Sequence, residues 1–385
     1  MKPMVRTVLL VMLTVVLALT TTGCWNRREI EKLSFVLGAG IDSTPQGFLL
    51  SAQVANPSAM TKKAGNAPTF FTFTSTGQTM FDSLRKATHS SPFRLFWAHT
   101  KVIVISEEFA RKGIMPVMEY FSRDAETRRN FTVAITPKRA EDILKMKVET
   151  EKVPVLALMD LLEGYKASST TPRMNVNDFM RTYHTSTSIL VPVVRKVVNQ
   201  GSKEDYYVQG SAVFTKDKLI TYLDPIETRG ALWVRGQVKS AILVTPCPDG
   251  KGKDKRTQKV SFEVFTAKAD IKPAKKGKDF TITVKIKEAG NLAGAVCTKN
   301  EVNPTDIKKL EDLKSNKIKA EVMKSLKKAR AHKVDVFGFG EAIHRKYPKD
   351  WKKIKDRWPD YFAKIPVSVE VETNINSSAL IQRQK

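Results

Sequence analysis

Cysteine is scarce in this 385-residue chain: Cys24, Cys247 and Cys297 are the whole supply. Three thiols without a matching Cys/His cluster exclude a four-ligand zinc framework. Histidine is scarce too. His89, His99, His184, His332 and His344 are scattered, none at metal-ligand spacing from another or from a cysteine, so no metal site is expected. Phosphate-cradling Walker loops, HExxH and GxSxG are all missing. Gly38-Ala39-Gly40 and Gly338-Phe339-Gly340 lack the third glycine of a dinucleotide fingerprint and read as turns or close backbone approaches. The sequence therefore offers no catalytic residue and no cofactor-binding residue, and leaves open only an active site assembled by folding from distant positions. No apolar run reaches the ~20 residues of a membrane-crossing helix. Acidic residues are outnumbered, 39 against 65 basic ones, for a formal charge of +26. A surplus of that size bears on partners, not on fold.

What is present begins at the N-terminus. Lys2 and Arg6 precede the twelve-residue stretch Val8–Leu19, interrupted only by Thr14, and Thr20-Thr21-Thr22-Gly23 supplies small residues before Cys24. That is the layout of an export signal. The Gly-Cys ending resembles a bacterial lipoprotein signal, in which a lipid joins the thiol and the chain is cut just before it. The expectation is a signal peptide over 1–23 with Cys24 as lipid anchor. An uncleaved anchor helix, or an ordinary signal with an incidental Cys24, are the alternatives, and each leaves the body outside the cytoplasm. There, Cys247 and Cys297 can pair in a compartment that permits disulfides. A loop of about 50 residues closed in this way contributes on the order of 4 kcal/mol. Two unpaired thiols are the other reading.

The length suits two or three domains, and 42% apolar with 8% aromatic residues is ordinary for a globular chain. Strands and helices are mixed with hairpin punctuation and no regular βα repeat. The class expected is α+β: two or three domains built from mostly antiparallel sheets packed with helices. Asn199-Gln200-Gly201-Ser202-Lys203 is the best linker, which gives an N-terminal domain over 24–200 and a C-terminal domain over 205–385. Met80, Leu84 and Ala87 predict a helix over 79–88, and Ser106-Glu107-Glu108 a helix start. Thr136-Pro137 predicts a cap and a first helical position. In the second half, Lys272–Lys278 reads as a lysine-rich turn. Ile307, Leu310, Leu313, Ile318, Val322, Leu326 and Ala329 make the apolar stripe of a long helix at about 304–332.

From Pro304 to Lys364 there are eighteen Lys/Arg against nine Asp/Glu, with Tyr347, Trp351, Trp358, Tyr361 and Phe362 among them. Aromatics among cations can stack on bases, but an exported body does not meet nucleic acid, and none is expected as a partner. Anionic lipid headgroups are the alternative partner, at ~1 kcal/mol per close cation. The plainest reading is a solvated surface over core aromatics.

Two stretches are recognisable. Gly23-Cys24-Trp25-Asn26-Arg27-Arg28-Glu29-Ile30 with Phe35-Val36-Leu37-Gly38-Ala39-Gly40-Ile41-Asp42 resembles the mature start of the Ger(x)C family, the C subunits of spore nutrient germinant receptors in Bacillus-like bacteria. Asp335-Val336-Phe337-Gly338-Phe339-Gly340-Glu341-Ala342-Ile343-His344-Arg345-Lys346-Tyr347-Pro348, running on through Trp351-Lys352-Lys353, is similar to the C-terminal signature of that family, as are Ile271-Lys272-Pro273 and Glu288-Ala289-Gly290-Asn291. The resemblance implies several α+β domains without catalysis. It also implies a lipoprotein on the outer face of the inner spore membrane, acting with A-type and B-type membrane subunits in a nutrient sensor that triggers germination. No ligand-contacting residue follows from it.

Overall fold

The computed structural model describes residues 2–20, 33–56, 59, 68–91, 94–199, 201–247, 259–277, 279–295 and 304–378. Helix α1 (Lys2–Thr20) carries the apolar leader. Among the described residues, no helix is long and apolar enough to cross a membrane. The body is a mixed α+β structure of two sheets packed with helices.

The first sheet has nine strands: β1 (Leu33–Thr44), β2 (Gly47–Ala55), β3 (Phe70–Gly77), β4 (Arg94–Phe96), β5 (Val102–Ser106), β6 (Thr132–Thr136), β7 (Ile189–Val198), β8 (Glu204–Thr215) and β9 (Lys218–Leu223). Their order is β3-β2-β1-β5-β6-β7-β8-β9, with β4 beside the start of β1. Hairpins make both flanks antiparallel, but β1, β5, β6 and β7 run parallel at the centre. "Mostly antiparallel" therefore describes the flanks and not the middle. β5 is buried at every position and β6 at all but its first. Near-continuous apolar runs such as VIVIS and TVAIT are what a strand covered on both faces requires.

Among the described residues, α2 (Met80–Ala87), α3 (Glu107–Lys112), α4 (Met115–Arg123), α5 (Ala140–Lys145), α6 (Pro154–Glu163) and α8 (Val176–Tyr183) cover the two faces, and the short α7 (Tyr165–Ser168) follows α6. One core lies on each face, the larger around Phe121, Phe179 and Phe214 and the smaller around Leu144, Val155 and Leu158. Thr79 caps α2 through the amide of Asp82, and Met80, Leu84 and Ala87 are buried as their spacing requires. The helix expected near 140–146 forms, but Thr136 and Pro137 do not start it. α5 begins at Ala140, held by a carboxylate from another strand, as described below.

The second unit is a four-stranded sheet, β10 (Ala241–Pro246), β11 (Lys259–Lys276), β12 (Asp279–Ala295) and β13 (Val367–Ser378), in that order. It is covered by α9 (Pro225–Val234), α10 (Pro304–Ala331), α11 (Phe339–Lys346), α12 (Pro348–Ile354) and α13 (Trp358–Lys364). The stripe on α10 packs as expected, with Leu310, Ile318, Val322, Leu326 and Ala329 buried. Lys272–Lys276 is strand and not turn: β11 and β12 continue as one hairpin until Lys276 pairs with Asp279, and the reversal is at Gly277.

Asn199 and Lys203, which bound the expected linker, join two strands of the first sheet. Asn199 N–H donates to the Lys203 carbonyl at 2.8 Å, so the segment is the tight turn of the β7–β8 hairpin, and the sheet continues to Leu223. The two units meet at α9, which packs on β8 and on α10. Arg229 binds Glu321 in a two-pronged pair, at 2.8 Å through Nε and 2.5 Å through the terminal nitrogen, and the Trp233 indole donates to the same carboxylate at 3.1 Å. A Cβ on Gly230 would lie 2.2 Å from the Glu321 carbonyl oxygen, so only glycine allows this approach of helix to helix.

Candidate functional site

The two recognisable motifs are both built around a buried aspartate that holds the start of a helix. Asp42, at the end of FVLGAGID, accepts the Ala140 amide at 2.8 Å and the Glu141 amide at 2.9 Å, and so caps α5 from β1. Burial pushes its carboxyl up, and the two amides and the Arg139 charge act against that. The glycines before it are spacers. A Cβ on Gly38 would stand 2.3 Å from Val155 Cγ2, and one on Gly40 would stand 3.1 Å from the Ala140 backbone.

Asp335 opens the second motif. Lys333, with φ 55°, ends α10, and the chain folds back so that the Asp335 carboxylate receives the amides of Phe337, Gly338, Phe339 and Gly340 at 2.8–3.2 Å. The Trp358 indole adds a fifth donor at 3.2 Å. Gly338 stands at φ 86° as N-cap of α11, and a Cβ on Gly340 would meet Ser186 Oγ and the Trp358 ring at 2.8 Å. Ser188 N–H donates to the Asp335 carbonyl, and Arg235 donates to the carbonyls of Val336 at 2.6 Å and Ser188 at 2.7 Å. The motif thus ties the entry to β7, the end of α9 and the start of α11 together. Burial pulls Arg235 down to about 10, against the pull of the Asp335 charge.

A third recognisable stretch, Glu288-Ala289-Gly290-Asn291, holds another buried acid: Glu288 faces Lys314 of α10. The three motifs therefore fix helix positions.

Over the Asp335 knot lies a groove of about 550 Å³ between the 184–188 segment and α11–α13. His184, Lys216, Glu341, His344, Lys355 and Asp356 bring charge and polarity to it, and the buried Trp351 and Trp358 form part of its wall. His344 stands 3.6 Å from Glu341. Among the described residues, no hydrogen bond joins His184 or His344 to a hydroxyl, so the groove shows no nucleophile and base pair. A second, more apolar groove of about 700 Å³ runs between α2 and α4, walled by Phe48, Met80, Phe81 and Tyr120.

The other predicted positions separate. Cys24 and Cys297 lie outside the described residues. Cys247 follows β10 and is disulfide-bonded. Pro246 pairs with Lys259 and Val260 with Ala295, so Cys247 and the last residue of β12, Ala295, lie at the same end of the sheet. Among the described residues, no three His, Cys, Asp or Glu side chains gather as a metal would need. Trp351, Trp358 and Phe362 sit in the core and are not free to stack on bases.

Both halves of the chain match described spore germination domains. Residues 26–196 match the "Spore germination protein N-terminal domain" and 209–379 match "Spore germination B3/ GerAC like, C-terminal". The chain is 28% identical to spore germination protein KC of Bacillus subtilis (strain 168), over 98% of this chain and 97% of that one. It is 25% identical to spore germination protein B3 of the same strain, over 93% and 94%. The crystal structure of the GerBC protein shares the fold with a TM-score of 0.59 at 20% identity, covering 91% of this chain and all of that one. With both domains present in order over nearly the whole length, the chain belongs to the Ger(x)C family of spore germination proteins.

Proposed function

We propose that the protein is the lipid-anchored, non-enzymatic C subunit of a spore nutrient germinant receptor, required for germinant-triggered germination. The observation that carries this reading is the end-to-end match to germination proteins through both domains. The leader over 1–23 is removed, Cys24 carries the lipid, and Cys247 pairs with Cys297. The body sits on the outer face of the cell membrane, which in spores is the inner spore membrane. Its partners are the A-type and B-type membrane subunits and the membrane surface, reached through the lipid and the protein's positive charge. Deleting the gene together with any paralogue tests it: spores that still germinate normally on every nutrient end the reading, and loss of response to one germinant class supports it.

A second reading, an extracytoplasmic solute-binding lipoprotein that captures a nutrient itself, is favoured by the 550 Å³ groove beside His184, Glu341 and His344. Thermal denaturation in the presence of amino acids and sugars separates the two. A ligand at 100 times its dissociation constant adds ~2.7 kcal/mol, and a silent panel leaves the accessory role.

A further inference from the structure

The anchor, if it is Cys24, also determines which end of the body meets the bilayer. From Cys24 to Leu33 there are nine residue steps, which span at most about 30 Å when fully extended. Leu33 pairs with Arg94 at the start of β4, so the tether arrives beside that strand. β1, β5 and β6 are parallel, so the segments that lead into them lie at this same end. Lys101, just before β5, is exposed, as are Arg128 and Arg129 in the loop leading to β6. Arg94 reaches Glu126 of that loop at 3.8 Å, which places loop and strand together. The acids there are Asp124 and Glu126, two against the four cations. Phe35, Phe96 and His99 pack ring to ring beside them, with centroids 5.2–5.9 Å apart. The tether itself brings Arg27, Arg28 and Lys32 against Glu29 and Glu31.

We infer that this end, formed by Arg94, Lys101, Arg128 and Arg129, is an anionic-lipid-binding face that lies on the headgroups and fixes the orientation of the body. It deepens the anchored-subunit reading and rests on it. Helix α10 is another cation-rich surface, but four of its lysines are engaged, as Arg94 is with Glu126: Lys308 with Asp312, Lys309 with Asp306, Lys317 with Glu321 and Lys324 with Asp224. Nor does the tether enter there. Cations within a Debye length of ~8 Å of phosphate are attracted, and more distant ones are screened.

The test is hydrogen exchange on the lipid-modified chain, reconstituted in phosphatidylcholine vesicles with and without phosphatidylglycerol. Exchange over residues 124–131 is expected to slow several-fold when phosphatidylglycerol is present and to recover in salt near ~1 M, where screening leaves ~3 Å. Exchange over α10 stays unchanged. The variant R94Q/R128Q/R129Q, with native far-UV circular dichroism, remains on the vesicles and loses the lipid-dependent protection. Equal exchange in both lipids, or protection of α10 instead, overturns the orientation while the anchor stands. A chain that carries no lipid and washes off the vesicles overturns both.

Discussion

Glu288 Oε1 and Lys314 Nζ lie 2.7 Å apart, and neither side chain has any solvent exposure. β12 carries the acid near the middle of its long pairing with β11, where Glu288 faces Ala267, and the base comes from within the α10 apolar stripe, with its ammonium 5.7 Å from the Phe262 ring. Burial raises the Glu288 carboxyl and lowers the Lys314 ammonium, each against the charge of the other. Neither charge has enough other partners, so removing one leaves the other uncompensated. Glu288→Leu or Lys314→Met alone is expected to cost ~3–5 kcal/mol, while the two together are expected to be neutral or stabilising. Urea unfolding of the four proteins of this cycle measures it. A single variant as stable as the parent would show that the pair contributes nothing.

Asp335→Asn tests the knot behind the groove. The amide side chain keeps one acceptor for the backbone amides that Asp335 holds and loses the charge that faces Arg235. A loss of ~1–3 kcal/mol is expected, because the Gly340 amide loses its acceptor oxygen inside the protein. The Trp358 indole loses its acceptor in the same step, so a shift in tryptophan emission should accompany the lower urea midpoint. An unchanged midpoint would remove the structural role assigned to the motif.

Much of this was legible, for reasons that differ from element to element. The α10 stripe and the Met80/Leu84/Ala87 helix were readable because one face is wet and one dry, which imposes a 3.6-residue period. α9 has no such contrast. Every residue from Thr228 to Val234 is buried, so no period exists, although Asp224-Pro225 followed by Glu227 is a full start signal and forms a capping box. β5 and β6 hold the unbroken apolar runs of parallel strands covered on both faces, a signal that the expectation of mostly antiparallel sheets passed over. In the motifs, the glycines were readable as close approaches. The work of Asp42 was not, because its partners lie 98 and 99 residues away.

Gly230→Ala is expected to push α9 away from α10, since the new methyl would fall on the Glu321 carbonyl. Overpacking of this kind costs ~1–3 kcal/mol. It also disturbs the Arg229–Glu321 pair, which is 7% and 1% exposed, so the loss should fall at the upper end. Gly201→Ala, in the β7–β8 turn with nothing within 4 Å, is the matched control. Thermal unfolding of both proteins compares them, and equal midpoints would deny the close approach any role.

Reduction tests the proposed bridge from Cys247. Peptide mapping without reductant should recover Cys247 linked to Cys297, and Cys247→Ser should lower stability by on the order of 4 kcal/mol. A free Cys297 thiol in the native protein, found by alkylation, would assign the bond at Cys247 to another partner.

Acid should weaken the start of α9. Burial pushes the Asp224 carboxyl up, but its bonds to Lys324 at 2.5 Å and to the Glu227 amide at 2.8 Å outweigh that, and its pKa falls below the ordinary 3.8. A carboxyl held low in the folded state contributes stability that is complete above its unfolded value and is lost as pH drops through the lower folded one. Stability supplied by Asp224 is therefore level from neutrality to about pH 5 and fades below 3.8. Asp224→Asn keeps a capping oxygen but not the charge, so its stability should converge on that of the parent as pH falls through this window. Urea midpoints of both proteins between neutrality and acid measure the gap, and a gap that stays constant with pH would show that the charge of Asp224 does not support the α9 start.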